Sequence, residues 1–171
     1  MRTRSLSVAA AAAILALVQP GIATADGDPS TTVTFTVTTG ALSMSVPASA
    51  TLGSGAPGTT ISAPIGACTV TDDRALLSAS WTVTAAETDF TNGSSTIAAT
   101  NATYTVGTVT TTGTITATPT NVTLSNSAQT VLTGSAGVGD NTASWNPTVG
   151  VNVPAGAVGG TYTGTLTQSV A

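Results

Sequence analysis

A two-residue rhythm restricts the fold of this chain more than any other feature. Between Leu77 and Ala85, the residues Leu77, Ala79, Trp81, Val83 and Ala85 alternate with Ser78, Ser80, Thr82 and Thr84. Successive side chains of a strand point to opposite faces, so this segment predicts a strand with one apolar face and one hydroxyl face. The same rhythm places Val33, Phe35 and Val37 on one side of a strand over Thr31 to Thr39, and Leu42, Met44 and Val46 on one side of the next. Residues 48 to 60, rich in Ser, Gly, Ala and Pro, read as a loop. A strand from Ile61 to Val70 follows, ended by a turn at Asp72-Asp73-Arg74.

Beyond the loop at Asn92-Gly93, strands are predicted at Ile97–Ala99, Ala102–Val109, Gly113–Thr118, Asn121–Leu124 and Gln129–Leu132. Gly134 to Asn141 reads as a Gly-rich connection. Ala143, Trp145, Val149, Val151 and Val153 share one face, Pro154-Ala155-Gly156 turns the chain, and Thr161 to Val170 is the last strand. Thr and Val are β-branched and suit a pleated surface. Short strands at regular spacing predict an all-β fold, specifically an antiparallel Ig-like β-sandwich over residues 31–171.

The N-terminus carries a different pattern. Arg2 and Arg4 precede an apolar run from Ser5 to Val18, Gln19-Pro20-Gly21 breaks the helix, and Ala23-Thr24-Ala25 is a small-x-small cleavage site. Residues 1–25 thus read as a cleavable secretory signal helix, and 26–30 as a short polar leader. The run falls short of the roughly 20 residues that span a bilayer, so no membrane insertion of the mature chain is expected. The expected localisation is secreted, extracellular or cell-wall associated.

Once that signal is removed, Arg74 is the only cation and faces seven carboxylates, because the chain has no Lys. One positive charge cannot neutralise a run of phosphates, which excludes nucleic acid as a partner. The chain has no His, so a Ser or Cys nucleophile lacks its usual base and zinc lacks its usual ligand. Cys68 is the single cysteine, so stability rests on the core and not on an intramolecular disulfide; it reads as a small buried hydrophobe.

Catalytic and cofactor residues are therefore read as none. Glu87 and Asp89 have the types of a glycosidase pair, but they follow a strand and read as a solvated strand end before a turn. Calcium is the one metal whose chemistry matches the side chains present, since Asp72, Asp73, Glu87, Asp89 and Asp140 carry hard oxygen ligands. They do not follow the spaced pattern of a calcium-binding loop. Trp81 and Trp145 would be sugar platforms if exposed, but both share a face with aliphatic residues and read as core, as do Tyr104 and Tyr162.

Two stretches resemble a known family. Leu77-Leu-Ser-Ala-Ser-Trp81-Thr-Val83-Thr-Ala followed by Asp89-Phe90-Thr91, and Trp145-Asn-Pro-Thr-Val149 leading to Gly160-Thr-Tyr162-Thr-Gly-Thr-Leu166-Thr, are similar to the WxL-type cell-surface domains of Gram-positive bacteria. The Ala-rich, Lys-free texture resembles an actinobacterial member. Val83 stands where the family's first motif has Leu, and Gln168 stands where its second Trp is expected. The resemblance implies a non-enzymatic protein held non-covalently at the wall, with Trp81, Val83, Trp145, Tyr162 and Leu166 as its motif residues. Cell-wall glycan or other surface proteins are the implied partners. A self-assembling or adhesive subunit joined through sheet edges, and a carbohydrate-binding module, are the alternatives.

Overall fold

The computed structural model describes Ser30–Ala171, so residues 1–25, read above as a signal, and the first four residues of the expected leader lie outside the described residues. Val37–Ala171 forms one compact unit. Its strands are β1 (Leu42–Ser45), β2 (Thr60–Pro64), β3 (Cys68–Asp72), β4 (Ala79–Glu87), β5 (Phe90–Asn92) and β6 (Ser95–Ile97), followed by β7 (Ala102–Thr105), β8 (Val109–Pro119), β9 (Val122–Thr123), β10 (Gln129–Trp145), β11 (Thr148–Asn152) and β12 (Leu166–Val170). A single 3-10 turn at Ala99–Asn101 joins β6 to β7.

All pairings between these strands are antiparallel. Six strands form one sheet in the order β1-β3-β10-β4-β12, with β8 lying along the free side of β10. β1 and β12 approach one another, so this sheet curls into a nearly closed, barrel-like form. Four strands form a second sheet, β2-β11-β7-β9, and β5 with β6 makes a small hairpin.

The apolar faces of both larger sheets meet in one core. Cys68, Val70, Trp81, Val83, Leu132, Ala143 and Trp145 come from the first; Ala102, Tyr104, Val149 and Val151 come from the second. Fully burying an aliphatic or aromatic side chain of this size stabilises the fold by about 1.5–3 kcal/mol. The solvent face is joined by hydroxyls: Thr69 to Ser144, Thr84 to Ser169 and Thr112 to Thr142 each bond across a ladder.

Several expectations from the sequence need correction: the last strand begins at Leu166 and not at Thr161, and Ala99 belongs to the 3-10 turn and not to a strand. Thr31 to Thr39 is not a strand: it has no ladder partner among the described residues, and Val33, Phe35 and Val37 are 82, 87 and 70% exposed. Leu42 stands opposite Asp72, so residues before Gly40 would need partners beyond Asp73, where the chain bends at Arg74. Alternation without a neighbour does not make a strand. Leu77 is likewise exposed, and β4 begins at Ala79.

Ile61 to Val70 is two strands in two sheets, because β2 pairs with β11 while β3 pairs with β1 and β10. Gly66, at φ +105°, makes the switch between them.

The stretch from Gly134 to Asn141 is no loop but the middle of the 17-residue β10. Its glycines serve a packing purpose. The Trp81 indole lies directly over Gly134, where an added Cβ would overlap the ring at Cε2 and Cζ2, and at Gly137 it would come within 2.8 Å of Ala79 Cβ. Register shifts between Gly134 and Gly137 and again beyond Val138 bend β10 as it passes from β4 to β3.

Replacing Gly134 with Ala is expected to force the indole out of its seat and to cost about 1–3 kcal/mol. Urea unfolding monitored by tryptophan fluorescence reads both effects; an unchanged midpoint with an unchanged spectrum would mean that the ring does not depend on this glycine.

Candidate functional site

The inward face of β12 continues a polar path through an otherwise apolar core. Trp145 Nε1 donates to the Tyr104 hydroxyl at 3.0 Å, and that hydroxyl donates to Gln168 Oε1 at 2.7 Å. Gln168 Nε2 lies 3.7 Å from Cys68 Sγ, whose thiol faces the Gly66 carbonyl at 4.0 Å. Four side chains from β10, β7, β12 and β3 are thereby joined, spanning both sheets. Burial pushes the Tyr104 phenol and the Cys68 thiol above their ordinary ranges, so both stay protonated as the donors this path requires. Gln168 thus fills the inward position its parity assigns and satisfies a buried tyrosine.

Gln168 also lines a cavity of about 780 Å³ within the Val37–Ala171 unit. Leu52, Ile61, Phe90, Tyr162 and Leu166 give it apolar walls. The segment after β1 and the segment before β12 supply much of its rim. Two of the motif residues, Tyr162 and Leu166, come together here, with the Tyr162 hydroxyl donating to the Val158 carbonyl at 3.0 Å. Trp81, Val83 and Trp145 do not reach this cavity; they are buried in the core, as their parity predicts. Trp81 Nε1 has no partner there.

Glu87 overturns its sequence reading. It is no solvated strand end: it is 4% exposed, its Oε1 has no hydrogen-bond partner, and Phe90 and Gly164 crowd around it. Its parity was the available signal, since Glu87 continues the inward set of Trp81, Val83 and Ala85. Burial raises its pKa from 4.5 to about 7, opposed only by a bond from the Thr88 backbone N–H. Among the described residues, Glu87 is the only carboxylate lining the cavity.

Asp89, its neighbour in the sequence reading, is occupied elsewhere, accepting the Ala99 backbone N–H at 2.9 Å. Asp72 is buried and grips Arg74 through both oxygens, at 2.8 and 2.9 Å. The guanidinium holds the Asp72 carboxyl below its usual range. Among the described residues, no group of three or more His, Cys, Asp or Glu side chains gathers where it could hold a metal ion. No protein family, curated protein or solved structure matches this chain.

Two measurements follow from this geometry. Between pH 4.5 and about 7 the folded protein holds a proton on Glu87 that the unfolded chain has lost. Stability therefore falls as pH rises through that window, by up to about 3 kcal/mol. Urea midpoints at pH 5 and pH 8 are expected to differ accordingly, and Glu87→Gln to abolish most of the difference; equal midpoints in the native protein would show Glu87 ionised without penalty. Separately, Tyr104→Phe leaves Trp145 Nε1 without its partner and Gln168 Oε1 with only the long contact from the Cys68 thiol at 3.8 Å. A loss of about 1–3 kcal/mol is expected, and a loss near zero would mean that water replaces the hydroxyl.

Proposed function

We propose that this protein is an exported, non-enzymatic cell-surface domain of WxL type, an Ig-like β-sandwich held non-covalently at the Gram-positive cell wall. One observation carries the reading: β8 and β12, two strands of the six-stranded sheet, present an uncharged, hydroxyl-bearing surface. Thr110, Thr112, Thr114, Thr116 and Thr118 of β8 are exposed, as are Thr167 and Ser169 of β12, and neither strand contains a charged residue. Such a face offers donors and acceptors to the hydroxyl and amide groups of a wall glycan without needing a counter-charge. Each hydrogen bond contributes only about 0.5–1.5 kcal/mol net, so retention would come from many weak contacts along a repeating polymer.

The two sheets with a shared core support the sandwich assignment. Burial of both indoles argues against the carbohydrate-module alternative in the form that stacks sugar rings on tryptophan.

The purified protein is expected to pellet with protein-free cell-wall sacculi, with and without calcium, while an unrelated acidic β-domain stays in solution. Alanine at Thr116, Thr118 and Thr167 together should reduce pelleting without moving the urea midpoint. A folded protein that remains in the supernatant would sink wall association as the mechanism.

A further inference from the structure

Two features of the fold are complementary and neither is used within it. The first is the segment Thr31–Thr39, which alternates as a strand does yet pairs with no strand among the described residues and exposes Val33, Phe35 and Val37. The second is β8, an 11-residue strand bonded to β10 alone, whose other edge presents unpaired backbone groups. Natural edges are guarded by charge, proline or a covering segment. β8 has no charged residue, its only proline, Pro119, stands at its end, and its irregularity is confined to the stretch from Thr112 to Thr116, where the register against β10 shifts at Gly113.

The side-chain patterns of the two match. Thr32, Thr34, Thr36 and Thr38 occupy alternate positions in the segment, as Thr110, Thr112, Thr114, Thr116 and Thr118 do in β8. Residues opposite one another in an antiparallel ladder share a face. Pairing Thr with Thr therefore sets Val33, Phe35 and Val37 on the same side as Ile115 and Ala117, which are only partly buried against the core. The hydroxyl pairs already seen across ladders, Thr112 to Thr142 among them, show the contact that Thr-to-Thr pairing would repeat. No charge on either side opposes the approach.

The donor belongs on a second molecule. Gly40 and Ala41 enter the fold by bonding to Asp73, leading into β1, which lies on the side of β3 away from β10. From there β8 is three ladder spacings distant, with β3 and β10 between. That is roughly 14 Å across a continuous sheet. A neighbouring copy meets no such barrier.

We infer that Thr31–Thr39 is a donor strand that adds, antiparallel, to the β8 edge of a second copy of this chain. Because each copy then carries one donor and one open edge, the contact is head-to-tail and extends into linear assemblies unless the rotation closes a ring.

Sedimentation of the purified protein over a range of concentrations tests this. The weight-average mass is expected to rise with concentration beyond that of one chain. Phe35→Lys, which spoils the donor, and the double variant Thr111→Lys/Thr114→Lys, which guards the edge at two exposed positions, should each stay monomeric. An equimolar mixture of the two variants should restore a dimer, because one retains the edge and the other the donor. Four results would overturn the inference: a native protein monomeric at every concentration, assembly that persists in Phe35→Lys or in the double variant, a mixture that stays monomeric when both parents have lost assembly, and amide protection of residues 31–39 that is independent of concentration. The last would place the strand on its own molecule.

Discussion

The seat of Trp81 on the backbone of β10 sets the shape of everything around it. A ring of that size on the inward face of β4 needs depth, and the facing strand provides it by having no side chain at Gly134 and little bulk at Gly137 and Ala79. The same short stretch carries the register shifts that bend β10 and let one strand serve β4 at one end and β3 at the other. Along that bend the larger sheet curls, and its two ends, β1 and β12, approach one another. Packing of an aromatic ring and curvature of a sheet are here one constraint.

Much of this architecture is visible in the order of residues. Parity alone places Trp81, Val83, Ala85, Trp145, Val149 and Val151 inside, and the positions of β1, β4 and β11 follow from it. What parity does not carry is partnership. Thr31–Thr39 alternates as cleanly as β4 but has no neighbour among the described residues, since a strand is completed by another chain segment whose location is a property of the whole fold. Glycine is ambiguous for a related reason. At Gly66 it marks a break between two strands, while at Gly134 it marks contact with a ring 53 residues earlier in the sequence. Local composition does not separate the two uses.

The cavity shows the same division. Tyr162 and Leu166 line it from the chain around β12, whereas Glu87 comes to it against the ordinary expectation for a carboxylate. Strand register drives it inward: Glu87 pairs with Leu166, and its alternation with Ala85 leaves it no outward course. An acid in that position is tolerated by keeping its proton. The polar path from Trp145 to Cys68 is the counterpart, since its members donate and accept among themselves in place of water. One site is balanced by pairing and the other by protonation.

The pairing of Arg74 with buried Asp72 has a consequence for proteolysis. Proteases that cut after basic residues require an extended, freely presented Lys or Arg. Lys does not occur in this sequence, and Arg74 is the only basic residue among those described. Its guanidinium is clamped by both oxygens of Asp72 and by the Ser80 carbonyl, so the side chain such an enzyme must take into its specificity pocket is already committed. One ion pair thus withdraws the folded domain from a whole class of digestive attack, leaving unfolding as the step that would have to come first.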